Sequence, residues 1–182
     1  EAYSMSGYGD GCIAFASYPA ARISLYDPKQ PYNFGVGPGC NPLDIGPLDH
    51  AEIAYRPHTM VATPDGKIWI GSAPNYGIRG GPLGWYHPAT ATRGFHREVV
   101  ADTSPNCLLW LPELRQLLIG LGTEPGSGVS VQRASGAFAL WDTTADRLVH
   151  AGDFGLKDLA EVCSFVPAGR DGLVFALSAR PN

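Results

Sequence analysis

The sequence is short of charge. Of its 182 residues, 13 are Lys or Arg and 17 are Asp or Glu, which makes 16% charged and a net charge of -4. No basic run could neutralise successive phosphates, so nucleic acid is not an expected partner. Long apolar runs are missing too: none approaches the roughly 18 residues that cross a bilayer. The opening Glu1-Ala2-Tyr3-Ser4 lacks the basic-then-apolar plan of a secretion signal. The expectation is a soluble chain with no membrane partner. Cysteine is sparse, and Cys12, Cys40, Cys107 and Cys163 form no Cys-x-x-Cys pair and no Cys/His zinc spacing, so buried free thiols are expected.

What the chain does have is apolar material and turns. Hydrophobic residues make up 45%, enough for one packed core, while 23 Gly and 16 Pro are spread without a three-residue period, which excludes collagen. Four apolar segments share one character: Ile13-Ala14-Phe15-Ala16-Ser17, Ile68-Trp69-Ile70-Gly71-Ser72, Leu117-Leu118-Ile119-Gly120-Leu121 and Leu173-Val174-Phe175-Ala176-Leu177. They start 55, 49 and 56 residues apart, a period of about 50 that belongs to repeat architectures.

Three further motifs recur at fixed places around these segments. Leu25-Tyr26-Asp27-Pro28, Trp85-Tyr86-His87-Pro88 and Leu140-Trp141-Asp142-Thr143 each read as a strand closed by a tight turn. Preceding strands run over residues 58–62, 106–110 and 161–165, ahead of hairpin turns at Pro64-Asp65-Gly66, Pro112-Glu113 and Pro167 to Gly172. Fourth strands are expected over residues 95–100 and 147–152. The unit is four antiparallel strands.

Such units, with a Pro-Asp-Gly-Lys-Ile-Trp-Ile-Gly-Ser hairpin at residues 64–72, resemble β-propeller blades over nearly the whole chain. The hairpin is more similar to gluconolactonase-like, regulator-type and polysaccharide-lyase propellers than to WD-repeat or kelch blades. The expected fold is all-β: a single partial propeller domain over residues 1–182, with about three and a half blades at residues 1–57, 58–105, 106–160 and 161–182. A β-sandwich would also satisfy short strands and frequent turns, but it gives no reason for a triplicated strand order.

The resemblance implies where a site would lie. In propellers the second-to-third and fourth-to-first connections of each blade meet at one face around the channel. Here the former are residues 17–22, 73–82 and 122–135, and the latter 31–57, 102–105 and 154–160. They carry Tyr18, Arg22, His50, Arg56, Tyr76, Arg79, Glu124, Arg133 and Lys157. Aligned on Pro64, Pro112 and Pro167, the openings of the first strands are His58, Asn106 and Glu161. Strand-start residues capping loop amides would explain Asn106 and Glu161 equally. Arg56 shares a face with His58 if the segment is extended. In residues 75–81, three glycines permit positive φ beside Tyr76 and Arg79.

Several constellations are discounted. The glycine-rich residues 7–11 and 35–39 do not sit between a strand and a helix, as phosphate loops do. His87, His96 and His150 read as structural, no Gly-x-Ser-x-Gly elbow occurs, and His50 and His58 are too few for a histidine zinc site. No cofactor or metal is expected. Glu161, Glu124 or Asp102 offer oxygen to calcium, but no EF-type loop is present.

Three functional expectations follow. The first is a carbohydrate-active lyase on a uronate polymer, with His58 or Tyr76 as base or acid, Arg56 and Arg79 holding the carboxylate, Asn106 donating a hydrogen bond and Tyr18 stacking on a sugar. His50 and Glu161 complete the expected substrate-binding set. The second is a non-catalytic module that binds a ligand or protein within a larger extracellular or periplasmic protein. The third is a metal-dependent gluconolactonase-like hydrolase using Glu161 and Asn106. In each case the remaining blades of the same propeller are expected partners, with a carbohydrate or other small polar ligand.

Overall fold

The turn from Thr63 to Lys67 shows how the repeat folds locally. Gly66 takes a positive φ of 86°, which side chains resist and glycine accepts. The Thr63 amide donates to the Lys67 carbonyl at 2.9 Å, and the strands on either side pair from Ala62 and Ile68 onward. The computed structural model describes residues 1–49, 53–168 and 173–179, and in each of its four sheets the first two strands pair antiparallel.

Numbered along the chain, β1 (Ala2–Tyr8), β2 (Cys12–Ser17), β3 (Arg22–Tyr26) and β4 (Leu43–Gly46) form the first sheet. The second holds β5 (Ala54–Ala62), β6 (Ile68–Pro74), β7 (Leu83–His87) and β8 (Thr92–His96), and the third holds β9 (Ser104–Leu111), β10 (Gln116–Gly122), β11 (Ala137–Asp142) and β12 (Arg147–Gly152). The pair β13 (Glu161–Ala168) and β14 (Leu173–Ala179) makes the fourth. Strands within each sheet lie in sequence order and run antiparallel. First strands of successive sheets pack together, β1 on β5, β5 on β9 and β9 on β13. Among the described residues no comparable packing joins β13 to β1. The result is an all-β arc of three and a half propeller-like blades, with no helix among the described residues long and apolar enough to cross a membrane.

The core lies between blades. Ile68 and Ile70 of β6 join Ala14, Ala16, Ile23, Leu48 and Met60 in a cluster between the first and second sheets. Trp69, pointing the other way, joins Leu117, Ile119, Leu121 and Trp141 between the second and third. A strand sandwiched on both faces has to be apolar at every position, and each large side chain buried there contributes about 2 kcal/mol. Gly71 lies where the next blade comes closest: a Cβ on it would stand 2.7 Å from Pro105 and from Thr59.

Several boundaries differ from the expected ones. The first blade has a complete set of strands, including β1, which no proline-led turn announces. Its fourth strand, β4, falls inside the stretch expected to be a connection from 31 to 57, and Tyr55, Arg56 and Pro57 belong to β5. In the second blade, β8 stops at His96 because its partner β7 begins at Leu83, opposite that residue. Beyond it, Arg97 turns to donate to the carbonyls of Arg79 and Gly80. The strand expected over 147–152 is present as β12.

Candidate functional site

Tyr18 follows β2, Tyr55 and Arg56 lie near the start of β5, and Tyr76 follows β6, so three elements from two blades converge. The Tyr18 and Tyr55 rings meet edge to face at 4.9 Å with their hydroxyls 2.9 Å apart, and Tyr55 meets Tyr76 edge to face at 5.3 Å. Tyr3 of β1 adds a fourth ring, 6.0 Å from Tyr18. The Arg56 guanidinium lies 5.7 Å from the Tyr18 ring centre and 5.6 Å from that of Tyr55, within cation-π range. The hydrogen bond to Tyr18 is the main cause that pushes the Tyr55 phenol up to about 12, followed by desolvation.

A second constellation runs along the first strands. His58 Nδ1 and Asn106 Oδ1 are 3.1 Å apart, and Asn106 Nδ2 donates to Glu161 Oε2 at 2.6 Å. A carboxylate only accepts, so the Asn106 amino group must face Glu161 and its oxygen must face His58. His58 therefore donates through Nδ1. One chain of hydrogen bonds thus links three blades.

Backbone bulges place these groups. Pro57 pairs with Ser72 and Thr59 with Gly71, leaving His58 unpaired between them; Asn106 and Tyr3 stand likewise in β9 and β1. In β13 the bulge falls on Cys163, which is the positional equivalent of His58 and Asn106 in place of Glu161. Pro167 lies inside β13 whereas Pro64 and Pro112 follow the ends of their strands, so alignment on proline is two residues out. The bulge also breaks alternation along β5. Arg56 consequently turns to Tyr18 of the first blade and His58 to Asn106 of the third, so the two do not share a face.

The structure does not bring every expected residue together. Arg79 donates from Nε to the Ser130 carbonyl at 3.3 Å, in the loop after β10. That loop interlocks with residues 75–81, since Gly77 donates to Ser127 and Gly126 donates to Ile78. Gly77 and Gly80 take positive φ, while Gly81 meets Ser72 so closely that a Cβ would collide with its carbonyl oxygen. His50 lies outside the described residues. Tyr55 and Tyr3 were not singled out in the sequence, because both sit within strands whose bulges only the pairing register reveals. No three His, Cys, Asp or Glu side chains among the described residues are grouped to hold a metal ion.

These sheets define a propeller-type repeat domain. No protein-family model matches the chain, and no curated protein does. Among solved structures it is similar to hydrazine synthase of Kuenenia stuttgartiensis, with a TM-score of 0.71 and 12% identity over 100% of this chain and 44% of that one. It is also similar to the extracellular domain of a protein described as a hybrid two-component system from B. thetaiotaomicron, with a TM-score of 0.54 and 13% identity over 98% of this chain. The chain spans 44% and 20% of the lengths of those proteins. At such identities the likeness shows the fold alone.

Proposed function

We propose that the chain is a ligand-binding module of a larger propeller protein, and that its Arg56 and tyrosine face recognises a small polar ligand carrying an acidic group and a ring, such as an acidic carbohydrate. Arg56 carries this reading. Arg22 is paired with Asp44, Lys29 with Asp10 and Arg97 with Glu98. Among the described residues Arg56 contacts ring faces and no carboxylate, so its in-plane donors are available to an incoming anion. Tyr76 beside it is exposed and offers a stacking surface. The likeness to an extracellular domain of a two-component system fits a binding role outside the cytoplasm.

Calorimetric titration with galacturonate oligomers and with neutral galactose oligomers tests the reading. Binding should favour the acidic series, and Arg56→Ala should weaken it tenfold or more, as expected when a charge-assisted hydrogen bond is lost. Equal binding of both series, or an Arg56→Ala protein that binds as before, would sink it.

A second reading, a uronate lyase, rests on the placement of His58, whose Nδ1 is held by Asn106 at 3.1 Å in the way a neighbour orients a general base. Incubation with a uronate polymer would then generate near-ultraviolet absorbance from the unsaturated product. His58→Ala would abolish that signal while binding persists. Absence of the signal with the intact protein removes this reading and leaves the binding module untouched.

A further inference from the structure

The connection between β3 and β4 spans residues 27–42, whereas residues 88–91 and 143–146 suffice in the second and third blades. It is an ordered insertion built around Asn41, which is buried. The Asn41 amino group donates to the carbonyls of Asp27, Gln30 and Pro31 at 2.9, 3.0 and 3.2 Å, and its oxygen accepts from the Asp27 amide at 2.8 Å. Cys40 closes the loop against Gly35, where a Cβ would stand 2.8 Å from the Cys40 Sγ. Long loops held in one shape in this way commonly carry function.

The insertion bounds a cavity of about 500 Å³ at the end of the first blade opposite Tyr18, a size that suits a small molecule. Tyr8 at the end of β1, Leu25 in β3 and Leu43 at the start of β4 give it apolar walls. Tyr8 and Leu25 also pack against the core between the first and second sheets, so these walls are preformed. The insertion supplies the polar groups, with Asp27, Gln30 and Asn33 among the lining residues. Asp27 is the one carboxylate among them, and no Lys, Arg or His lines the cavity with it. Its Oδ1 accepts from the Lys29 amide at 2.9 Å, but the Lys29 ammonium reaches Asp10 instead, at 2.6 Å. Among the described residues no cation pairs with the Asp27 carboxylate. That carboxylate lies close to the apolar wall: after desolvation and Cys12, it helps to push the Tyr8 phenol up to about 12.

We propose that this cavity binds a small organic primary ammonium ion, with its nitrogen on the Asp27 carboxylate and its apolar body against Tyr8, Leu25 and Leu43. The alternatives fit less well. An anion would meet only the like charge of Asp27. A metal ion needs several oxygen ligands in place of its water, which one carboxylate among apolar walls does not supply. A neutral molecule would cover the walls while stripping water from an unpaired carboxylate. An ammonium ion compensates that carboxylate through charge-assisted hydrogen bonds, and the body attached to it covers the walls.

Titration of the isotope-labelled full chain with phenethylamine, phenylethanol and phenylacetate, followed by amide NMR signals, tests the proposal, because these three probes share one apolar body and differ in charge. Phenethylamine should shift the signals of Leu25, Asp27 and Leu43 saturably, at least tenfold more tightly than phenylethanol, and phenylacetate should leave them in place. Asp27→Asn, which keeps an acceptor for the Lys29 amide, should weaken phenethylamine tenfold or more. Gln30→Arg, at an exposed position, should weaken it as well by setting a competing cation at the mouth. Circular dichroism checks that both variants fold. The proposal is overturned if phenylethanol binds as tightly as the amine, if both variants bind the amine as before, or if the amine shifts no signals around residues 25–43. Arg56→Ala should bind phenethylamine unchanged, so the outcome is independent of the acidic-ligand face around that residue.

Discussion

The Tyr18 and Tyr55 hydroxyls share one hydrogen bond at 2.9 Å, and ionising Tyr55 removes the proton it can place in that bond. This bond is the largest cause of the rise to about 12, so Tyr18→Phe should bring the Tyr55 titration down toward its ordinary value of 10.0, which phenolate absorbance would follow. An unchanged titration would mean that desolvation and Tyr76 set it. Cys107 offers a second test. Burial pushes its thiol from 9.0 to about 12, and Tyr8 is pushed from 10.0 to about 12 mainly by the same cause. Both groups stay protonated in the fold while they ionise in the unfolded chain above pH 9.0 and 10.0. Their contribution to stability is therefore complete below those values and declines as pH rises toward 12. Denaturant midpoints should fall over that window, less steeply in Cys107→Ala, and Cys107 should resist alkylation until the protein unfolds. The residues gathered at the candidate site were partly legible. Tyr18, Tyr76 and Arg56 announced themselves because polar aromatics and a cation crowded loops placed by the repeat. Tyr55 did not, since as a strand residue it reaches the site only through a bulge between Ala54 and Arg56.

Individual elements were legible where turn chemistry is explicit. Pro64-Asp65-Gly66 marks the β5–β6 hairpin, but Tyr8-Gly9-Asp10-Gly11 closes the β1–β2 hairpin without proline, and β4 is a four-residue strand behind a long insertion. Periodicity carries no information about such a short strand. Its place is instead fixed by Asn41, whose side chain does for the insertion what a sheet ladder does elsewhere. Asn41→Ala leaves the Asp27 amide and three carbonyls without this partner and should cost about 2 kcal/mol. Hydrogen exchange would show the loss confined to residues 27–46, whereas global loosening would show that the insertion does not fold as a local unit. The register of β13 was hidden for a related reason: a proline inside a strand reads in sequence as a turn.

Across the whole molecule, stability resides between blades. Asp146, in the turn after β11, accepts from Trp141 Nε1 at 3.2 Å within its own blade, while Oδ2 accepts from Trp85 Nε1 at 3.3 Å and Oδ1 pairs with His96 at 2.9 Å in the second blade. Asp146→Ala removes all three contacts and should destabilise the chain by about 2 kcal/mol. Thermal unfolding would register this as a lower midpoint, and an unchanged midpoint would show that packing alone joins these blades. Among the described residues the outermost faces have no such neighbour: Met5 on β1 and Leu177 on β14 are exposed where inner blades bury the same kind of residue, and no described strand pairs with the outer edge of β14. Apolar faces and an open edge favour association. Sedimentation velocity should therefore show concentration-dependent assembly of the 182-residue chain, reduced when Met5→Lys and Leu177→Lys are combined. Both substitutions place charge on surface that is already solvated, so the fold should survive them. A concentration-independent monomer with one sharp unfolding transition would show that three and a half blades are self-sufficient and that these faces need no cover.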